Sequence, residues 1–136
     1  MKYLLDTNAV IALLRDKPAT VRKRYRETEA AGDYLALSSV VLFELWYGGA
    51  KSSQAHENTE RLRVLLSGGL DLLDFDDEDA RIAGQVRAAL EKAGTPIGAY
   101  DLLIAGQALR RGLTIVTANS SEFSRVEGLS WQDWTD

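Results

Sequence analysis

Three acidic residues of this chain stand among large apolar neighbours, and carboxylates in such company carry a chemical implication. Asp6 closes the run Tyr3-Leu4-Leu5, Glu44 divides Val40-Val41-Leu42-Phe43 from Leu45-Trp46-Tyr47, and Asp101 precedes Leu102-Leu103-Ile104-Ala105. Carboxylates are rarely buried unless something pairs with them or a metal binds them. No Lys or Arg lies close in sequence to any of the three on an evident helical face. If a fold gathers them, each close pair repels by ~4 kcal/mol at an effective dielectric of about 20. A divalent cation is the simplest answer. Oxygen donors in a chain without cysteine suit Mg²⁺ or Mn²⁺ rather than zinc. A carboxylate site holding one or two such ions polarises phosphoryl oxygen and activates water, which is the chemistry of phosphodiester hydrolysis.

Each acid also has a plainer reading. Asp101 suits the first turn of a helix, where negative charge is favoured. Asp6 is readable as a loop residue, although Thr7 and Asn8 already offer capping oxygens behind it. Glu44 would need a polar stripe, yet Val40, Val41, Tyr47 and Gly48 are its helical neighbours. His56 is the only histidine and sits in a polar segment far from the acids, as a solvated surface residue would. Hydrolysis assisted by histidine, with or without a Ser or Cys nucleophile, therefore has little support.

The elements that must position these residues follow from periodicity and caps. Residues 2–6 read as a short buried strand, with Thr7-Asn8 starting a helix over 9–14. Pro18 opens a second helix to about Ala31, stopped by Gly32. A strand at 34–37 leads to a helix capped by Ser38 or Ser39, running through Trp46 and ended by Gly48-Gly49. A helix over 54–66, a strand over 70–75 and a long helix over 76–92 come next, the last with Ile82, Val86 and Leu90 at helical period. Gly94-Thr95-Pro96 breaks it. A helix over 101–111, a strand over 113–117 and an edge strand within 129–134 complete the chain. Strands alternating with helices predict an α/β fold around a parallel sheet. Ligands of such sheets bind beyond the carboxyl ends of the strands, where Asp6 and Asn119 both fall.

Size and composition agree. The 136 residues predict one domain, 1–136, with ordinary apolar and charged fractions. The absence of cysteine fits a reducing cytoplasm, and neither a signal peptide nor a membrane-spanning run is expected. A net charge of −4 decides little about nucleic acid, because basic residues crowd near 15–26 and acidic ones near 74–79. Arg22, Lys23, Arg24 and Arg26 suit guidance of RNA phosphates, a solvated helix face paired with Glu27 and Glu29, or a protein partner. Arg15, Arg110, Arg111 and Arg125 are equally open. Asp76-Asp77-Glu78-Asp79 reads as helix capping. Trp46 and Tyr47 suit a core position more than an interface, and Trp131 and Trp134 suit packing at the end of the sheet. Gly48-Gly49-Ala50-Lys51-Ser52 lacks the pattern and the preceding strand of a phosphate loop.

Four stretches carry a resemblance: Leu4-Leu5-Asp6-Thr7-Asn8, Glu44 in its apolar helix, Ile97-Gly98-Ala99-Tyr100-Asp101-Leu102-Leu103-Ile104-Ala105, and Ile115-Val116-Thr117-Ala118-Asn119-Ser120-Ser121-Glu122-Phe123. In this order, across essentially the whole chain, they resemble PIN-domain ribonucleases, above all the VapC-type toxins of toxin–antitoxin pairs. The resemblance implies a three-layer α/β fold with a short, mostly parallel sheet and helices on both faces. It implies a Mg²⁺- or Mn²⁺-dependent endoribonuclease, a homodimer, inhibition by a VapB-type antitoxin, and RNA substrates that include transfer RNA. Asp6, Glu44 and Asp101 match the family's principal acidic positions as catalytic metal ligands. The fourth position often carries Asp; here it is Asn119, which brings no charge, with Glu122 near to compensate. Thr7, Asn8 and Thr117 are expected to orient carboxylates or metal-bound water. The implied reaction is in-line attack by water, leaving a 5′-phosphate and a 3′-hydroxyl. Two other functions compete: a PIN-like module that binds RNA or protein without cutting, and phosphotransfer through an aspartyl phosphate. The latter is poorly matched, since position 8 is Asn rather than the second Asp of an Asp-x-Asp.

Overall fold

A computed structural model describes residues 1–136. Five strands, β1 (Lys2–Leu5), β2 (Tyr34–Ser38), β3 (Asp71–Leu73), β4 (Thr114–Val116) and β5 (Trp131–Gln132), form one sheet in the order β3-β2-β1-β4-β5. Every pairing is parallel. Leu4 faces Ala36 on one side and Ile115 on the other, so β1 is central. Leu4, Leu5, Ala36, Leu37, Ile115 and Val116 are all 1 % exposed or less. Such unbroken apolar strands are what a sheet covered on both faces requires.

Seven helices connect them: α1 (Thr7–Arg15), α2 (Ala19–Ala30), α3 (Ser39–Lys51), α4 (Ala55–Leu66), α5 (Asp77–Lys92), α6 (Ala99–Arg111) and α7 (Ser120–Phe123). The chain winds outward from β1 through β2 to β3, then returns through α5 and α6 to β4 on the far side of β1. Right-handed crossovers in opposing directions place helices on opposite faces. The strand order therefore reverses between β1 and β4, and ligand crevices in open parallel sheets form at such a switch point.

The helices match their predicted places, with local corrections. Gly48-Gly49 does not end α3, which runs on to Lys51. Neither glycine has the positive φ of a stop, and α3 packs along α4 with Gly49 facing Thr59. Gly112, by contrast, ends α6 with φ 67°. The helix carrying Asp101 starts earlier than expected, at Ala99, with Gly98 preceding it. The four-residue α7 was not expected. Asp76 and Asp79 form a reciprocal capping box on α5. Tyr47 is not in the core but 58 % exposed. Trp134 is buried against Tyr3, edge to face at 5.4 Å, whereas Trp131 remains partly open.

Candidate active site

Asp6 ends β1 at the switch point. Its backbone N–H donates to Val116 O (3.1 Å), tying the ends of β1 and β4 together. Thr7 and Asn8 open α1 as expected, but the capping oxygen is neither of theirs: Asp6 is the N-cap, with Oδ1 accepting from the Ala9 N–H at 2.8 Å. The residue is 3 % exposed. Burial pushes its carboxyl above the usual range, with the charge of Glu44 acting the same way; the Thr117 side chain and the Ala9 and Asn8 backbone work against the rise.

Glu44 comes from the middle of α3 and points toward α1, where the Thr7 hydroxyl donates to its Oε1 at 2.9 Å. Although large apolar residues flank it in sequence, Glu44 is only half-buried, because Phe43 and Tyr47 beside it lie on the exposed side of α3. Asp101 is half-buried too, on the first turn of α6. Only Asp6 of the three is enclosed.

Asp101 faces Glu122, which α7 brings up from beyond β4. The Asn119 amide nitrogen bridges them, donating to Asp101 Oδ2 at 3.1 Å and to Glu122 Oε2 at 3.0 Å. Asn119, which brings no charge, presents its NH₂ here, because two carboxylates face it and each needs a donor. Its backbone N–H donates to Thr117 Oγ1 at 2.8 Å, which shapes the turn. Burial, the hydrogen bond with Glu122, and the charges of Glu122 and Asp6 lift the Asp101 carboxyl to about 7. Glu122 moves down, held by its hydrogen bond with Asp101, by Asn119, by the Gly98 backbone and by the nearby Arg125 charge. The two carboxyls therefore titrate as a pair, with Asp101 shifted up and Glu122 down. Arg125 spends its strongest contact elsewhere, donating to Pro96 O at 2.8 Å and bracing the loop that enters α6.

The fold therefore places Glu44, Asp6, Asp101 and Glu122 along one edge, each within electrostatic reach of the next. None of the four forms an ion pair with a Lys or Arg, although ten ion pairs occur elsewhere. All four residues were named from the sequence, but not the capping bond of Asp6 or the Asn119 bridge between Asp101 and Glu122. Asn8 makes no side-chain hydrogen bond to the acids. No three carboxylates close on a single point as a finished cation cage. The donor set still fits a small hard cation. Mg²⁺ is held through one or two carboxylates while keeping several waters, rather than by an all-protein cage.

Comparison with known proteins agrees with this geometry. A PIN-domain profile matches residues 3–129. The chain is 42 % identical over 135 residues to the tRNA(fMet)-specific endonuclease VapC of Shigella flexneri, covering 99 % of each. It superposes on the toxin fold in VapBC2 of Rickettsia felis, bound to a promoter DNA fragment, with a TM-score of 0.91, 35 % identity and coverage of 98 % of this chain and 99 % of that one. For DNA-bound VapBC of Salmonella typhimurium the TM-score is 0.89, at 40 % identity and 98 % coverage of each chain. The family profile, the full-length similarity and the fold converge: this chain belongs to the PIN-domain family, among its VapC members.

Proposed function

We propose that this protein is a metal-dependent endoribonuclease toxin, neutralised by a VapB-type antitoxin. The observation that carries the reading is the edge of four carboxylates without a cation at the β1/β4 switch point. Relatives named as tRNA(fMet)-specific endonucleases support transfer RNA as the substrate class, and the VapBC complexes among its structural neighbours support the antitoxin partner.

Asp6, Glu44 and Asp101 would hold Mg²⁺ or Mn²⁺, with Glu122 supplying the charge that Asn119 lacks. A bound ion supplies charge neutralisation at the phosphodiester and a coordinated water of lowered pKa. The chain's own residues do the aiming. Thr7 fixes the direction of the Glu44 carboxylate, the Ala9 N–H fixes one oxygen of Asp6, and Asn119 spaces Asp101 from Glu122. Water attack in line with the departing 3′-oxygen leaves a 5′-phosphate and needs no ribose hydroxyl as nucleophile.

The exposed aromatic face formed by Phe43, Tyr47 and Tyr100, with the Phe43 and Tyr100 rings 5.9 Å apart, supports a homodimer. The deciding experiment uses antitoxin-free protein, transfer RNA and either ion. Cleavage is expected, and EDTA or Asp101→Ala should reduce it by about 10²–10³-fold or more, matching the several kcal/mol that a bound ion contributes. Undiminished cleavage after both treatments overturns the metal mechanism.

A further inference from the structure

Beside Glu44 the surface opens into a groove of about 280 Å³ between α1, α3 and α4. Its floor is apolar, with Leu45 and Leu62 buried. Its walls are not. Arg15 from the last turn of α1, Lys51 from the last turn of α3 and Arg61 from α4 all line it. All three are exposed, and none forms an ion pair. Acids outnumber bases by 20 to 16 in this chain, and six of its ten helix-borne arginines have a carboxylate partner within 4.0 Å, so three unpaired cations on one groove wall concentrate free positive charge there. Lys51 instead lies 4.8 Å from the Tyr47 ring, an arrangement that holds the ammonium without neutralising it. Ser52, Asn58 and Thr59 add neutral hydrogen-bonding groups to the lining. Glu44 is the one carboxylate of the candidate active site that reaches the groove; Asp6 and Asp101 lie outside it.

Three unneutralised cations beside a row of uncompensated carboxylates need an explanation, since the acids could have been placed to pair with them. We propose that this groove is the track for the RNA backbone, with Arg15, Lys51 and Arg61 each contacting a phosphate of the strand whose scissile bond lies at the carboxylate edge. The inference rests on the endoribonuclease reading and names how the same site holds its substrate. The cations draw the polyanion toward an edge that would otherwise repel it, and a bound ion at the acids completes the alternation of charge. The groove carries its cations and hydrogen-bonding groups on its walls and reaches Glu44, so a phosphate chain lying along it meets charged partners up to the carboxylate edge.

The test compares wild type with the variant Arg15→Gln/Lys51→Gln/Arg61→Gln and with the remote control Arg87→Gln on α5. Binding of transfer RNA in EDTA is measured across a salt series, then cleavage kinetics with Mn²⁺. The triple variant should bind about tenfold or more weakly. Its log–log salt slope should fall by roughly 2–3, at about 0.7–0.9 per lost phosphate contact. KM should rise with kcat nearly unchanged, and the control should match wild type. Unchanged affinity and salt slope overturn the track. So does a triple variant that handles RNA normally but no longer binds the antitoxin, which would assign the groove to that protein. If wild type binds RNA with the expected slope but cuts none, the track stands and the nuclease reading falls.

Discussion

At the scale of single residues, Asp6 has two duties that pull in different directions. Its carboxylate caps α1, and it is the most buried acid on the edge. An amide keeps the capping oxygen but loses the charge, whereas a methyl loses both. Asp6→Asn should therefore fold at near wild-type stability and bind Mn²⁺ much more weakly. Asp6→Ala should lose about 1 kcal/mol more in urea unfolding, the usual worth of an N-cap. Isothermal titration and denaturation on the two variants separate the roles, and global unfolding of Asp6→Asn would make the residue structural. The type and apolar setting of Asp6 were visible in sequence. Its capping bond was not, because Thr7 and Asn8 offered equally good oxygens and only backbone geometry chose between them.

Among the elements, α5 and α6 form the tightest pair, and its limit is steric. A β-carbon on Gly106 would lie 2.6 Å from Ala83 Cα and 2.7 Å from Ala83 N and Cβ, so α6 cannot carry even alanine there without moving α5. Gly106→Ala should cost about 1–3 kcal/mol by overpacking, read as a lower urea midpoint, although the same change on an open helix would stabilise. The N-terminus of α5 meets the C-terminus of α6 in a second contact. There the fully buried Asp79 accepts from Arg111 at 2.9 Å and from Arg110 at 3.1 Å. Burial alone raises the Asp79 carboxyl, but the hydrogen bonds from Arg111, the Asp76 backbone and Arg110 outweigh it, and the net shift is downward. A depressed folded pKa contributes stability that is fully present above the unfolded value, about 3.9, and is lost as pH falls through the folded value. Asp79→Asn should thus be destabilised by about 3 kcal/mol at pH 7, with a smaller penalty once the pH falls below the folded value. Equal penalties above and below that value would refute the ion-pair account. Arg110 and Arg111 had been open to several roles in sequence, since their partners lie more than 30 residues away.

For the whole molecule, the exposed aromatics of α3 and α6 flank Glu44 and Asp101 in sequence. A dimer through this face would set two carboxylate edges close together, so one RNA could meet both. Light scattering of the 15.0 kDa chain should give twice that mass, and Phe43→Glu should shift it toward the monomer without altering the helical circular dichroism. A monomeric wild type would remove the dimer from the reading. Membrane insertion through a helix is not available, because none is long and apolar enough to span a bilayer.

The sequence by itself determined the alternation of strands and helices, and it singled out Asp6, Glu44 and Asp101 as candidates for an oxygen-donor site. Residue type, period and the absence of cysteine are local properties, and they sufficed for these. Tertiary structure decided what depends on strand order and long-range approach. It put β4 beside β1, so that Asp6 and Thr117 share a switch point, and it turned α7 so that Glu122 meets Asp101 across 21 positions. It also decided how much of the acidic character is buried: Asp6 is enclosed, while Glu44 and Asp101 remain open to solvent and to an approaching phosphate. Burial is a property of packed neighbours on every side, and apolar residues adjacent in sequence on a helix account for only some of those sides.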